Sequence, residues 1–270
     1  MGRLSKKVEA AEVARVVEGM RRVRPGGRRQ LASYIEAFFG LRVPERRVCP
    51  GHCGPMDYLA WSVLGESQSQ KSKVKSQKCK LKGKSGGVGE ILNPKFEILN
   101  NVRNEEIQMF ETGEGERGRD ALGTDCLVWA CRGGGKTLLG AVASLLDCLW
   151  QPGCSVRILG GSEEQSRRMY EYLTGALDRG FSSELAGTAT KTGCKFANGS
   201  AVQVLAQSQA SVRGHHVQRL RCDEVELFDP DVWEAAQLIT QSQGAVGARL
   251  EALSTMQDRK STRLNSSHSC

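Results

Sequence analysis

From Asp125 onward the chain alternates short apolar runs with longer stretches in which apolar residues return every three or four positions. DCLVWA (Asp125–Ala130), SVRILGG (Ser155–Gly161), RLRCDE (Arg219–Glu224) and GARLEALST (Gly247–Thr255) are brief and bounded by turn or polar residues, the pattern of strands. KTLLGAVASLLDCLW (Lys136–Trp150) has the length and spacing of a helix, and Pro152-Gly153 closes it. Another helix is predicted after Ser162. There the S-x-x-Q of Ser162–Gln165 has the form of a capping box, and Met169, Leu173 and Leu177 share one face. In CKFANGSAVQVLA, Asn198-Gly199 between two strand-like runs predicts a hairpin. The alternation predicts an α/β core over residues 113–257, a mainly parallel sheet flanked by helices. One strand departs from the pattern: Arg219 and Arg221 alternate with Leu220 and Cys222, more polar than a central strand usually is.

Residues 1–65 read as a small helical region. SKKVEAAEVARVVEGMRRV carries apolar residues at helical spacing through Val8, Ala11, Val16 and Met20, and Pro25-Gly26-Gly27 stops it. QLASYIEAFFGL predicts a second helix ended by Gly40. Pro55-Met56-Asp57 opens a third, with Asp57 near its N-terminus and Tyr58, Leu59, Trp61 and Leu64 directed inward. Cys49, His52 and Cys53 lack a fourth ligand at zinc-site spacing, so no metal is expected there.

Two stretches do not read as fold. QKSKVKS is followed at once by QKCKLKG, and EILNPKF by EILNNVR. The lysine-rich heptads offer no apolar seam for a coiled coil. Residues 66–112 are therefore expected to be a disordered, low-complexity insertion. DRKSTRLNSSH, within residues 258–270, looks like a translated sequencing adapter and carries no functional expectation.

Composition narrows the picture only a little. The 270 residues are 39% hydrophobic and 25% charged, ordinary values for a soluble protein, with no apolar run of membrane-spanning length. Ten cysteines without a secretory leader read as reduced, mostly packed thiols. The formal net charge of +8 favours a polyanionic partner without naming one.

The chemistry is concentrated in VWACRGGGKTLLGAV. A strand, a glycine-rich turn, Lys-Thr and a helix form the setting of a phosphate-binding loop. Gly133, Gly134 and Gly135 allow the backbone amides to converge on phosphate oxygens, and the helix N-terminus adds unpaired donors. Lys136 is placed to reach the β- and γ-phosphates of ATP, and Thr137 to hold Mg²⁺. The first glycine of G-x-x-x-x-G-K-[ST] is replaced by Ala130, so the loop is a variant. An acidic partner should close another strand, and LRCDEVELFD supplies it. Asp223 is expected to bind Mg²⁺ and Glu224 to act as general base toward water.

CRGGGKT, RILGGSEEQS, NGSAVQVLAQSQASVRGHH, RCDE and LST occur in the order seen in large terminase subunits of tailed phages, which the chain resembles over Asp125–Met256 and loosely over Val43–Gly65. The resemblance implies a P-loop NTPase fold of the ASCE/RecA-like class and an ATP-driven motor that moves double-stranded DNA into a capsid. It implies nucleotide sensing or contact for Arg132, and γ-phosphate sensing or DNA contact for Arg213. It assigns coupling of hydrolysis to movement to Ser254 and Thr255, and an adenine-side position to Tyr58. Portal protein, small terminase subunit, a ring of identical subunits and a soluble location in the host cytoplasm follow from it as expectations. The family's nuclease domain lies beyond the matched residues, so ATPase without DNA cleavage is expected of this chain. A helicase-like DNA-dependent ATPase and a catalytically inactive nucleic-acid-binding fragment are the alternatives the residues leave open.

Overall fold

A computed structural model of the chain describes residues 12–13, 15–46, 53–65, 125–213 and 216–255. The repeat insertion, the adapter-like tail, Cys49, His52, Val8, Ala11 and Gly214 lie outside the described residues. All described residues belong to one unit, formed by Met1–Ser67 together with Ala121–Cys270.

Among the described residues six strands form one sheet: β1 (Cys126–Trp129), β2 (Ser155–Gly160), β3 (Gly193–Lys195), β4 (Ala201–Val204), β5 (Arg219–Asp223) and β6 (Arg249–Ser254). Their spatial order is β1-β6-β5-β2-β4-β3. Every neighbouring pair is parallel except β3 with β4, the hairpin that Asn198-Gly199 turns. Asn198 also donates its side-chain amide to the Cys148 carbonyl at 2.7 Å, fixing the hairpin to the end of a neighbouring helix. The loop-bearing strand β1 and the acidic strand β5 are not adjacent, because β6 lies between them. The fold is thus α/β, a mostly parallel sheet in which β6 separates the loop-bearing strand from the acidic one.

After the helical residues 15–22, the helices among the described residues are α1 (Arg28–Phe39), α2 (Pro55–Leu59), α3 (Lys136–Trp150), α4 (Glu163–Asp178), the single turn α5 (Gln209–Val212) and α6 (Pro230–Gln237). Gly40, at φ 66°, ends α1 in the left-handed region, as the sequence predicts. Asp57 in the first turn of α2 accepts the Gly54 N–H at 2.7 Å and pairs with Arg28. α2 runs into a π-helical turn, Ala60–Leu64.

The N-terminal helices share one hydrophobic core with the sheet. Tyr34 meets Trp150 edge-on with centroids 5.0 Å apart, and Phe39 lies 5.3 Å from Phe181. Aromatic pairs of this kind add about 0.5–1.5 kcal/mol to the area they bury. The first amphipathic stretch behaves differently. Residues 15–22 are helical, as the spacing predicts, but the apolar Val16 and Met20 are each 58% exposed. Cys148, Cys154, Cys194 and Cys222 are buried, as packed thiols are, whereas Cys53 and Cys131 are exposed.

The arginines that made β5 look too polar are explained by their surroundings. In register, Arg219 lies opposite Arg249 and Arg221 opposite Glu251, so the four face one side of the sheet. Arg221 reaches Asp147 of α3 at 2.5 Å and Glu251 at 3.1 Å, and it also donates to Ser144 and Ser62. Glu251 further accepts from Tyr58 at 2.6 Å and Ser62 at 2.8 Å. Arg219 lies 3.4 Å from Asp147 and donates to Gln151 at 2.9 Å. Arg249 donates to the Ser62 carbonyl at 2.7 Å and stacks 4.2 Å from the Trp61 ring. Three guanidinium groups thereby share two carboxylates in a buried seam. Its partners come from the N-terminal helices, α3 and both central strands. Burial opposes the charge on Glu251, but Arg221 and Arg249 and the two hydroxyl donors outweigh it and hold its carboxyl below the usual range.

Candidate nucleotide site

Five connections leave the C-terminal edge of the parallel strands, where open α/β sheets bind ligands: those after β1, β2, β4, β5 and β6. The predicted site residues other than Tyr58 lie on four of them, those after β1, β4, β5 and β6.

After β1 the chain turns through Ala130–Gly135 before α3 begins. Gly133 and Gly135 have φ of 73° and 76°, left-handed values that side-chain-bearing residues rarely adopt. Gly134 donates its N–H to the Cys131 carbonyl at 3.2 Å. Lys136, on the first turn of α3, is 8% exposed. Its ammonium donates to the Ala130 and Cys131 carbonyls, each at 3.0 Å, and so bends back over the loop. Arg132 is exposed on the same loop.

Thr137 makes the decisive contact. Its hydroxyl donates to Asp223 Oδ2 at 2.6 Å, which brings the helix after the glycine-rich loop and the end of β5 to one point. Asp223 also accepts the Glu224 N–H at 3.1 Å. Burial raises its carboxyl above the usual value, while the Thr137 and Glu224 donors and the Lys136 charge work in the opposite direction. The hydroxyl and carboxylate oxygens are hard donors of the type Mg²⁺ selects. Among the described residues no cluster of three or more His, Cys, Asp or Glu side chains is positioned to hold a metal. A two-oxygen protein site suits Mg²⁺, which keeps waters and takes other ligands from phosphate.

Glu224 has φ 52° and ψ 50°, the left-handed region, in a residue with a long side chain. Such a conformation costs roughly 1–3 kcal/mol and persists only where neighbours enforce it. One neighbour is Gln165, whose side-chain amide donates to Glu224 Oε2. Burial, then the adjacent Asp223 and Glu226, raise the Glu224 carboxyl; Arg132 and Lys136 pull it down. Both cations of the loop therefore act on the acidic pair.

Gln165 corrects one expectation. Ser162 does cap α4, accepting the Gln165 N–H at 3.3 Å, but the Gln165 side chain does not return to complete the box. It crosses to Glu224 instead. Gly160 makes that reach possible. A Cβ at this position would lie 2.5 Å from the Ser166 backbone nitrogen, so only glycine lets the start of α4 sit so close to the end of β2.

Ser254 and Thr255 lie beside the pair, at the end of β6. The Ser254 hydroxyl and the Thr255 N–H both donate to Glu226, in the short turn Val225–Leu227 that follows Glu224. Tyr58 is elsewhere. Its hydroxyl is committed to Glu251, three residues before Ser254 and therefore about 10 Å back along the strand. The adenine-side expectation is not matched by any contact of that hydroxyl with the loop. Arg213 is exposed just past α5, and among the described residues no hydrogen bond or ion pair joins it to Asp223 or Glu224. A hollow of about 570 Å³, bordered by Trp150, Gln151 and Gln243, opens at the opposite ends of the strands and contains none of these groups.

Sequence reading missed Gln165 and Glu226 as site residues. The first was visible as the Q of S-x-x-Q, where a capping role sufficed to explain it. The second stands two positions after Glu224, where a third acid in DEVEL has no motif to flag it.

No protein-family model and no curated protein matches the chain. Among solved structures it is similar to the large terminase of a thermophilic bacteriophage, at 15% identity with a TM-score of 0.39. It is similar also to that terminase in complex with ADP, at 17% identity with a TM-score of 0.38. Each match covers 48% of this chain and 33% of the terminase chain, so the chain spans one third of the length of those structures.

Proposed function

We propose that this chain is the ATP-hydrolysing motor region of a large terminase subunit, driving double-stranded DNA into a capsid. The observation that carries the ATPase part is the Thr137–Asp223 hydrogen bond at 2.6 Å, which joins the loop helix to the acidic pair. The motor part rests on the order of motifs from CRGGGKT to LST.

The loop amides and the start of α3 bind the phosphates, and Lys136 exchanges its two carbonyl acceptors for phosphate oxygens. Thr137 and Asp223 hold Mg²⁺, which supplies neutralising charge to the phosphate oxygens when bound. Glu224 orients a water molecule and takes its proton while the water oxygen bonds to the γ-phosphorus. The bond from that phosphorus to the β–γ bridging oxygen breaks, and ADP and phosphate leave. With Oε2 held by Gln165, Oε1 is the oxygen that receives the proton. Arg132 adds charge from the loop, and Arg213 serves the γ-phosphate or DNA, in its own subunit or across to a neighbour. The portal protein, the small terminase subunit and a ring of like subunits complete the assembly under this reading, in the host cytoplasm.

The test is phosphate release by the full chain with Mg-ATP and duplex DNA. Lys136→Ala and Glu224→Gln should each reduce it at least a hundredfold. A parent chain that releases no phosphate with DNA present refutes the reading. Unwinding of a forked duplex would point to a helicase instead.

A further inference from the structure

We propose that Glu226 is a positioning residue that ties the Glu224 turn to the phosphate loop through Ser254, a role that rests on the ATPase reading above. The contacts form a continuous path. Ala130, the first residue of the loop, donates its N–H to the Ser254 carbonyl at 3.2 Å. Ser254 donates its hydroxyl to Glu226 Oε2, and the next residue, Thr255, donates its N–H to Glu226 Oε1 at 3.3 Å. Glu226 stands two positions after Glu224 in a tight turn closed by the Leu227 N–H on the Glu224 carbonyl at 2.9 Å. Ala130 is also the residue whose carbonyl accepts from Lys136. The group that meets phosphate and the turn that carries the general base are thus joined by successive hydrogen bonds across β6.

The residue type fits the task. Ser254 is 1% exposed, so its hydroxyl needs an internal acceptor. Two donors arrive from consecutive residues, and a carboxylate receives one on each oxygen. An amide would turn an N–H toward one of them, and an alkyl group would satisfy neither. A third acid beside Asp223 and Glu224 is electrostatically unfavourable, and both carboxyls are raised in part by it. A surface glutamate without a structural duty would turn to solvent and avoid that repulsion. Here the side chain stays half-buried with both oxygens engaged.

Holding this turn matters because Glu224 occupies the left-handed region. Gln165 restrains its side chain, and Glu226 anchors the backbone that follows. Release of Glu226 lets the turn relax and misplaces Glu224 without removing any phosphate-binding group. The expected signature is a turnover defect with substrate binding retained.

The experiment uses the full chain as parent, Glu226→Ala, Glu226→Gln, Ser254→Ala and the Glu226→Ala/Ser254→Ala double variant. Steady-state ATP hydrolysis should show kcat lowered at least tenfold in Glu226→Ala with KM within twofold. Glu226→Gln should recover part of the loss through its one remaining acceptor oxygen. The double variant should be no slower than the worse single one. Multiplying defects, or a raised KM at unchanged kcat, overturn the proposal. Amide hydrogen exchange supplies a readout independent of hydrolysis. Exchange at Thr255 and Ala130 should accelerate at least fivefold in Glu226→Ala, while β2 amides stay protected as a control on folding. Unchanged exchange at both positions overturns the proposal, even if the parent hydrolyses no ATP and the functional reading has itself failed.

Discussion

Thr137 and Asp223 stand 86 positions apart in the chain and share a hydrogen bond of 2.6 Å. The donor lies on the first turn of the helix that follows the glycines, and the acceptor ends the strand two places away in the sheet. Thr137→Ser keeps the hydroxyl and should leave hydrolysis within about threefold of the parent. Thr137→Ala deprives a buried carboxylate of a donor, with an expected cost of about 1–3 kcal/mol in urea denaturation. The same variant should lose Mg²⁺-dependent tightening of ADP binding, measured by fluorescence titration. Equal stability and equal Mg²⁺ dependence in parent and Thr137→Ala would contradict the shared-site geometry.

The acidic pair makes a second expectation about pH. Burial and mutual repulsion raise the Glu224 carboxyl above its ordinary value of 4.5. A raised acid binds more protons folded than unfolded, so its contribution to stability is greatest at low pH. It declines as pH climbs from the ordinary value through the raised one. Glu224→Gln removes this penalty and should be at least as stable as the parent at pH 7, although hydrolysis is lost. Urea midpoints of the two proteins, followed from pH 4 to 8, should diverge in favour of the variant as pH rises. Glu251 has the opposite sign: its lowered carboxyl supports the fold above the ordinary range, and that support fades as acid titrates it.

The seam beneath the sheet separates two readings of Tyr58. Its hydroxyl donates to Glu251, so Tyr58→Phe should cost about 1.5–3 kcal/mol, the range for hydrogen bonds to charged groups. ADP affinity should stay within twofold, measured by calorimetry. Arg221→Ala leaves Asp147 and Glu251 without their shared cation and should cost about 3–5 kcal/mol. A large fall in ADP affinity with little change in stability would return Tyr58 to the adenine side.

Ser162 and Gln165 divide helix capping from the contact with Glu224. Ser162→Ala removes the side-chain cap of α4 and should cost about 0.5–2 kcal/mol with modest effect on turnover. Gln165→Ala keeps that cap, because the capped group is its backbone N–H, and should instead lower kcat at near-constant KM. Gly160→Ala should do both kinds of damage, since its new methyl meets the backbone of α4 and pushes Gln165 away. The expected cost is about 1–3 kcal/mol. Parallel denaturation and hydrolysis curves for the three variants check the division.

Much of this arrangement was legible because it depends on local chemistry. Glycines before Lys136, the apolar face of α4 and the turn at Asn198-Gly199 each obey rules that act over a few residues. What escaped the sequence depends on strand order. Nothing near Arg219 or Arg221 announces Glu251 or Asp147 as partners, because register, not spacing, puts them together. Gln165 was read for the helix it begins, although its side chain belongs to another strand's acid. The exposed Val16 and Met20 show the converse: helical periodicity marks an apolar face and says nothing of what will cover it.

The buried seam also ties the opening helices of this polypeptide to its central strands. Glu251 takes two of its donors from Tyr58 and Ser62, and Arg249 rests on carbonyls of that same turn. A gene trimmed to its strand-forming half would strand cations in an interior that water then enters. Anyone dissecting this polypeptide at the bench should keep the opening helices attached.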